Sequence, residues 1–364
     1  MLQRLFFLVR KELQALLNNK QGRLLLIMPV ILQTALFPYA ATLEVRNSSL
    51  ALYDEDQSAH SRELIQRLTQ AAAFTHIVSV QGMPALQQAL DTQQALVAVH
   101  IPADFARQIL TRRAPQVQVL VDGRRSNSGQ IASGYIGQII MQYQEDLWGA
   151  PPGALQVRQL YNPNLEFKWH ILPSLVAIIT TIGCLIVTAL SVAREREEGT
   201  FDQLLVSPLT PLYIMIGKAV PGMMVAFVQG SFIALAAYFL YGVPFTGSLP
   251  MLAVGLLAYG LSLAGVGLFI SSLCANQQQA FLGVFCFMVP AAIVSGYVSP
   301  IENMPLFFQA LAWVNPLTYF ILILKGIFLK GFGLAECWPY LWPLLLFALC
   351  NLSAALYLFR RHIA

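Results

Sequence analysis

A run of 25 residues without a single Asp, Glu, Lys or Arg decides the fold of this chain: WHILPSLVAIITTIGCLIVTALSVA, residues 169–193. An α-helix rises about 1.5 Å per residue, so about 20 residues cross the roughly 30 Å hydrocarbon core of a bilayer. Soluble proteins almost never bury several helices of this kind together. Six transmembrane helices are therefore predicted, because five more charge-free runs of similar length occur, at residues 24–43, 219–241, 249–273, 280–298 and 338–359.

The overall composition agrees with a membrane protein. The 364 residues are 57% apolar and 11% charged, whereas an average soluble domain is about 25% charged. Lys and Arg number 22 and Asp and Glu number 18, so neither sign dominates. A disordered chain or a nucleic-acid-coating protein would need an excess of charge. Both classes are excluded, and no nucleic-acid partner is expected.

A seventh uncharged run, residues 303–324, is interrupted near its middle by Asn315-Pro316. The residue before a proline is driven away from helical angles. If this run crossed the membrane, the C-terminal Arg360-Arg361 would lie outside. We therefore interpret residues 299–337 as an outer re-entrant or surface pair of short helices. Such backbone is tolerated at membrane depth only when it is buried against protein or faces water.

The distribution of Lys and Arg near the apolar runs predicts the orientation of the chain. Residues 1–23 carry five of these cations, residues 194–218 carry three, and the C-terminal tail carries two. The short loop at residues 242–248 carries none. Lys325 and Lys330 fall on the outer side, as an exception. Both termini are therefore expected in the cytoplasm.

The segment before the first apolar run, residues 1–23, is expected to be an amphipathic helix on the inner membrane surface. It is too long for the basic region of a signal peptide, and no A-x-A motif precedes Glu44. We therefore expect the first apolar run to be retained as an anchor. Apolar residues recur at helical spacing along the segment, namely Leu2, Leu5, Phe6, Val9, Leu13 and Leu16.

Residues 44–168 differ in composition from the rest of the chain. They hold 21 of the 40 charges, or about 17% of their residues, whereas the other 239 residues are about 8% charged. Four short strands are predicted, and helical segments lie between and after them. This alternation indicates a small α/β domain, inserted after the first span and facing outward. The strands are expected at residues 49–53, 76–80, 95–100 and 117–121.

The sequence of this domain gives little indication of catalysis or metal binding. No H-E-x-x-H or G-x-S-x-G motif occurs in the chain, and the five His show no ligand spacing. The acidic run Asp54-Glu55-Asp56 has two readings, a cation site or a solvated turn after a strand, and the turn is favoured. No catalytic residue, metal site or cofactor site is assigned.

The charged loop after residue 193 is the most informative stretch. Arg194 and Glu198 are four residues apart and are expected to pair on one helix face. Gly199 is expected to end that helix, and Thr200 with Gln203 would cap a second, short helix. Two leucines on that short helix suit docking into a groove on a cytosolic partner, or alternatively contact with the membrane surface. These are Leu204 and Leu205.

Several motifs resemble those of bacterial ABC-2 type transport permeases. They are REREEGTFDQLLVSPLTP (residues 194–211) followed by Gly217-Lys218, GYVSPIENMP (296–305), WVNPL (313–317) and FLKG (328–331). NPN at residues 162–164 and LYDED at residues 52–56 look like the larger multidrug and cation efflux branch of that family. The similarity covers essentially the whole chain.

The resemblance implies a dimer of permeases that carries two separate ATPase subunits. The second permease is either another copy of this chain or a relative. ATP and Mg would be bound by the partner ATPase, since this chain has no G-x-x-x-x-G-K-[ST] motif. Membrane lipid is the remaining expected partner.

The resemblance also implies roles for particular residues. A surface helix that clasps the ATPase would include Arg4, Arg10 and Lys11. Outer re-entrant helices that close the exit would include Pro300, Glu302, Asn303, Pro305, Asn315 and Pro316. The segment that couples to the ATPase would include Glu195, Arg196, Glu197, Gly199, Thr200, Leu204 and Leu205.

The predicted fold is thus an α-helical polytopic protein of the bacterial inner membrane, with six transmembrane helices, both termini cytoplasmic, and an inserted small α/β extracytoplasmic domain. The expected domains are a cytoplasmic amphipathic helix (1–23), a first span (24–43), the outer domain (44–168) and a membrane domain (169–364). The membrane domain contains the cytoplasmic coupling segment (194–218) and the outer re-entrant segment (299–337).

The apolar runs also bear on cargo and packing. They contain no ionisable side chain except His170, which argues against a stand-alone ion antiporter. Small residues at Gly260, Ala264, Gly267 and Ser271 predict close helix packing, more within one subunit than at a dimer seam. The expected function is ATP-driven export of amphipathic, drug-like molecules. The alternatives are export of a lipid or glycoconjugate, or a membrane-anchored assembly or sensor protein whose outer domain binds a partner.

Overall fold

The computed structural model describes residues 2–18, 20–40, 48–113, 116–149, 160–162, 166–201 and 209–361. The chain divides into two compact units. The first combines Met1–Thr42 with Leu160–Ala364, and the second is Leu43–Gln159.

The described elements, in chain order, are α1 (Leu2–Asn18), α2 (Lys20–Ala40), β1 (Ser48–Asp54), α3 (Ala59–Gln70), β2 (Phe74–Ser79), α4 (Met83–Asp91), β3 (Val97–Ile101), α5 (Phe105–Leu110), β4 (Gln118–Val121), α6 (Ser126–Trp148), α7 (Phe167–Glu197), α8 (Pro211–Phe239), α9 (Leu249–Leu273), α10 (Gln277–Val294), α11 (Leu306–Trp313), α12 (Pro316–Lys325) and α13 (Leu334–Arg361). A π-helical turn, Gly326–Lys330, follows α12.

Five helices are long and apolar enough to cross a membrane: α7, α8, α9, α10 and α13. They contain most of five predicted runs. The pair α11–α12 is bent by 79° and would be a sixth if it formed one span. The first predicted run lies mainly in α2, whose described apolar part, Gly22–Leu36, is shorter than these five, and residues 41–43 lie outside the described residues. The chain is therefore a mostly helical, polytopic membrane protein.

Four of these helices begin earlier than the charge-free runs do, and the difference is largest for α8 and α13. α8 starts at Pro211 rather than at residue 219, because Thr210 is its N-cap and proline is well suited to the first helical position. α13 starts at Leu334 rather than at residue 338. As a consequence, Lys218 lies inside α8 and not in the preceding loop.

The core of the first unit forms around α7, which is buried along most of its length. Thr188 of α7 lies between two glycines, with its Cγ2 against Gly222 of α8 and its Oγ1 against Gly267 of α9. One turn further along α9, Ser271 Oγ accepts hydrogen bonds from the backbone N–H groups of Val192 and Ala193, at 3.2 and 3.1 Å. The small residues of α9 therefore serve packing within one subunit, as predicted.

Two hydrogen bonds attach α2 to α8 and to Tyr241, which follows α8 in the chain. Pro38 has no N–H, so the carbonyl of Thr34 lacks its helical donor. Tyr241 Oη donates to that carbonyl at 2.6 Å. Gln229 Nε2 of α8 donates to the carbonyl of Leu26 at 2.9 Å.

The second unit contains a four-stranded sheet in the order β2-β1-β3-β4. β1 pairs in parallel with β2 and β3, and β4 pairs antiparallel with β3. Side chains alternate across β1: Leu50 and Leu52 join the larger core with α3, α5 and α6, and Ala51 joins a smaller core with α4. All four predicted strands are present within a few residues of their expected bounds.

The acidic run at residues 54–56 forms a turn. Asp54 Oδ1 accepts the backbone N–H groups of Asp56 and Gln57, both at 3.1 Å, and its Oδ2 accepts Ser61 Oγ at 2.7 Å. Glu55 pairs with His100 at 3.1 Å, and this hydrogen bond lowers the pKa of the Glu55 carboxyl. Within the described ranges, no group of three or more His, Cys, Asp or Glu is arranged to hold a metal ion.

We predict that Gly267→Ala destabilises the protein and that Gly260→Ala does not. A Cβ at position 267 would collide with Thr188, whereas a Cβ at position 260 would lie 3.6 Å from the nearest atoms, an ordinary contact. Overpacking of this kind costs about 1–3 kcal/mol. Thermal unfolding of the two purified variants in detergent measures the difference, and equal melting temperatures would contradict this account of the α7–α9 contact.

Candidate functional site

The most unusual feature of the first unit is a lysine whose ammonium is removed from solvent. Lys218 lies two turns into α8 and is 1% exposed. Its Nζ lies 2.9 Å from Glu12 Oε1 of α1 and 2.9 Å from Glu195 Oε2 of α7. The same ammonium contacts the carbonyl oxygen and the Oγ of Ser191, at 3.3 and 3.2 Å.

A second lysine completes the group. Lys11 Nζ lies 3.0 Å from Glu195 Oε1, and Ser191 Oγ donates to Glu12 Oε2 at 3.2 Å. Partial burial alone would lower the pKa of Lys11, but the hydrogen bond and the charge of Glu195 outweigh it and raise that pKa. We call Lys11, Glu12, Ser191, Glu195 and Lys218 the buried charge cluster. It holds two cations and two carboxylates, so its formal charge is balanced.

The approach of α1 to α8 makes the cluster possible. Gly217 has no side chain, and Leu8 of α1 packs against its Cα, at a position where any Cβ would collide. Glu12 follows Leu8 by four residues and therefore lies on the same face of α1. The glycine next to Lys218 thus allows α1 to lie close enough for Glu12 to reach the ammonium.

The buried charge cluster is strongly sensitive to the loss of one member. Moving an ion out of water costs several kcal/mol, and this cost is offset only by well-placed opposite charges and hydrogen bonds. The side chain of Lys218 is fully buried, and those of Glu195 and Glu12 are 6% and 12% exposed. Removal of the lysine would leave two buried carboxylates with only Lys11 to balance them.

The neighbours of Glu195 contact two further helices. Arg196 Nη1 donates to the carbonyls of Ser272 and Cys274 at the C-terminal end of α9, at 3.1 and 3.0 Å. Glu197 Oε2 accepts the backbone N–H of Gln277, at the start of α10, at 2.9 Å. A cation at a helix C-terminus and an anion at an N-terminus are both favourable there. These residues join the end of α7 to α9 and α10.

The end of α7 has the geometry that the sequence predicts. Gly199 has φ +68°, a left-handed conformation, and the N–H of Thr200 donates to the carbonyl of Glu195 at 2.9 Å. This is a Schellman end. The predicted pair between Arg194 and Glu198 is wrong: in the described chain these two residues form no ion pair, because Glu198 already occupies the C-cap. Gln203, Leu204 and Leu205, with the rest of residues 202–208, lie outside the described residues.

The predicted clasp residues have different environments. Lys11 belongs to the buried charge cluster, whereas Arg4 and Arg10 are exposed and make no ion pair within the described ranges. The structure therefore joins the predicted clasp helix to the predicted coupling segment through Lys11 and Glu195. The roles of both stay predictions.

The predicted outer-gate residues lie together after the C-terminal end of α10. Pro300 and Pro305 are N-caps, of a short 3-10 helix (Ile301–Asn303) and of α11. Glu302 and Asn303 lie in that short helix, and Glu302 is exposed. Asn315, at the bend before Pro316, is buried; its Nδ2 donates to the carbonyl of Ala291 in α10 at 2.7 Å, and its Oδ1 accepts the N–H of Leu317 at 3.1 Å.

The gate residues and the buried charge cluster are well separated. Glu197 meets the first residues of α10, and the gate residues follow the last ones. The 18 residues of α10 span about 27 Å at 1.5 Å per residue. The buried charge cluster and the gate residues therefore lie toward opposite ends of that helix, at a separation close to the roughly 30 Å of a hydrocarbon core.

Sequence reasoning missed three members of the cluster: Glu12, Ser191 and Lys218. Two signals could have pointed to the charged pair. Glu12 is the only acidic residue in residues 1–43, and Lys218 follows a glycine at the entrance to a long apolar stretch. Neither signal reveals that residues 206 positions apart meet.

Long apolar helices, with buried ion pairs near one set of their ends, define a membrane-embedded protein. Comparison with known families identifies which one. The chain belongs to the family described as ABC-2 family transporter protein, whose model matches residues 21–357. It is therefore a permease subunit of an ABC transporter and a multi-pass inner-membrane protein. Members of this family are membrane subunits that typically lack catalytic activity of their own, and membership implies an ABC ATPase partner.

Three curated relatives from Escherichia coli (strain K12) are similar to this chain. The probable multidrug ABC transporter permease YbhR is 52% identical over 367 residues, which cover 100% of both chains. The inner membrane transport permease YhhJ is 29% identical over 100% of this chain and 98% of its own length. The probable multidrug ABC transporter permease YbhS is 29% identical over 88% and 87%, respectively.

We predict that Lys218→Met is strongly destabilising. It leaves Glu12 and Glu195 buried with one partly exposed counter-charge, and loss of one partner from a buried ion pair costs about 3–5 kcal/mol. Lys168→Met is the matched control, because Lys168 pairs with Glu166 at 2.8 Å but the lysine side chain is 40% exposed. Such exposed pairs contribute about 0–1 kcal/mol. Thermal unfolding in detergent compares the two, and similar losses would show that burial of Lys218 contributes little.

Proposed function

We propose that this chain is the transmembrane subunit of an ATP-driven exporter that moves amphipathic small molecules outward across the inner membrane. A separate ATPase would bind ATP and Mg and dock on the segment at residues 194–208. The observation that carries the proposal is the buried charge cluster, because it joins Glu195 of that segment to α1 and α8. Movement of the segment would therefore reach several helices together.

The proposed topology has six spans: α2, α7, α8, α9, α10 and α13. Both termini are cytoplasmic, and the second unit lies outside the cytoplasm. Three observations support this. α2 is 21 residues long, its described apolar part follows the basic start of the helix, and residues 1–23 carry five lysines and arginines whereas residues 242–248 carry none. In this topology α11 and α12 form an outer re-entrant pair.

In the proposed cycle, closure of the ATPases on ATP pushes the segment at residues 195–205. α7 transmits this displacement because its last turn is bonded to α1, α8, α9 and α10. At the outer end, Asn315 bonds both α10 and α12, so a displacement of α10 is passed to the gate residues. Two such permease subunits enclose the pathway, and the second is a copy or a relative of this chain.

An apolar groove between α8 and α9 supports an amphipathic cargo. It has a volume of about 560 Å³, within the about 300–1,000 Å³ of small-molecule sites. Phe227, Leu252 and Phe245 line it, and Ser231 and Tyr238 each bring a hydroxyl group. No carboxylate of the described spans lines this groove. The names of the YbhR and YbhS relatives, both probable multidrug permeases, agree with such a cargo.

We predict that the double substitution Leu204→Asp and Leu205→Asp releases the ATPase from the membrane. Two charges in place of two leucines would prevent the segment from entering an apolar groove on the ATPase. Co-purification of the ATPase with the tagged permease measures docking. Leu110→Asp, a change at a leucine that is 76% exposed in the second unit, is the matched control. Undiminished co-purification of the double variant would refute the docking assignment.

A further inference from the structure

A long apolar groove lies between α1, α2 and α8. Leu13 and Leu17 of α1, Ile27 and Ile31 of α2, and Val228 and Phe232 of α8 line it, and its volume is about 520 Å³. Gln229 also borders the groove, but its Nε2 is bonded to the carbonyl of Leu26 and its Oε1 lies against Gly183 of α7. The wall of the groove is therefore hydrocarbon and suits an apolar chain.

The dimensions of the groove match one membrane leaflet. Its lining residues on α8 run from Met224 to Phe232, eight residue steps or about 12 Å. One leaflet contributes about 15 Å of hydrocarbon, half of the roughly 30 Å core. The side chains of Ile27, Val228 and Phe232 are 54%, 65% and 54% exposed, so the groove is open along its side.

Two basic residues lie at one end of the same helix face. Lys20, Arg23, Ile27 and Ile31 follow one another at steps of three, four and four residues, which places them on one face of α2. Lys20 and Arg23 are exposed, and neither has an ion-pair partner among the described residues. Glu12, the only acid in residues 1–43, is already bonded to Lys218 and Ser191. Lys20 and Arg23 are therefore available to bind an anion at this end of the groove.

We propose that this groove binds one anionic phospholipid from the leaflet on which α1 lies. An acyl chain lies against Ile27, Ile31 and Val228, and the phosphate is held by Lys20 and Arg23. Ammonium and guanidinium groups are strong partners for phosphate oxygens. The bound lipid fills the space between α1, α2 and α8 and so supports the position of α1. This site does not depend on the direction or the cargo of transport.

A helix of another subunit with an apolar face would cover the groove but would not use the two cations. A neutral apolar ligand would use the groove but not the two cations. The joint presence of a leaflet-length apolar wall and a basic end selects an anionic lipid.

Native mass spectrometry of the full-length permease, with its ATPase, tests the site. The protein is titrated with dioleoylphosphatidylglycerol or with dioleoylphosphatidylcholine. We expect one phosphatidylglycerol to bind tightly per permease chain. Each basic residue near a membrane surface contributes about a fivefold gain in binding of anionic lipid. Lys20→Gln with Arg23→Gln should therefore weaken binding of phosphatidylglycerol about 25-fold and leave phosphatidylcholine unchanged.

Two further variants make the test specific. Arg360→Gln with Arg361→Gln removes the same charge from the exposed last turn of α13 and should leave lipid binding intact. Val228→Trp fills the groove and should abolish the tight binding of phosphatidylglycerol and weaken that of phosphatidylcholine, while the melting temperature reports on folding. If the two double variants lost phosphatidylglycerol binding equally, net charge alone would explain the effect and the proposal would be overturned. The proposal would also be overturned if Val228→Trp retained lipid binding, or if this variant dissociated a permease dimer instead of releasing lipid.

Discussion

The cytoplasmic half of the proposed transporter depends on one buried ammonium. Lys218 is held between Glu12 and Glu195, at 2.9 Å from each. It therefore joins α1, near the start of the chain, to the consecutive helices α7 and α8. In a low-dielectric surrounding, an ion with two carboxylates around it cannot leave without a large loss of free energy. The position of α1 against the membrane helices is consequently fixed by charge as well as by the contact between Leu8 and Gly217.

The last turn of α7 distributes contacts because successive residues of a helix point about 100° apart. Glu195 meets α1 and α8, Arg196 caps α9, and Glu197 caps α10. A run of alternating charges, which would be a solvated surface in a soluble protein, thus links four helices at a single turn. Gly199 then ends the helix, so the following segment leaves from a point that is bonded to most of the membrane unit. This arrangement suits a site at which a partner protein displaces the end of α7.

The sequence predicted features that depend on local chemistry. Charge-free runs indicated the long helices, Gly199 marked the end of α7, and Asn315-Pro316 marked the bend at α12. Contacts between distant residues were not predictable in the same way. The burial of Lys218 depends on Glu12, 206 residues earlier, and the double cap by Asn315 depends on α10. The predicted Arg194–Glu198 pair is absent because α7 ends at Glu197, which leaves Glu198 at the C-cap rather than within the helix.

A charge exchange within the buried charge cluster tests the central claim most directly. Glu12→Lys and Lys218→Glu each leave three like charges against one, whereas the double variant restores two cations and two carboxylates. The quantity to measure is the ATPase retained per purified permease. The account predicts that each single variant loses the ATPase and that the double variant, in which position 218 faces Glu195 with a like charge, recovers part of it. A double variant as defective as the single ones, or single variants that retain the ATPase, would contradict it.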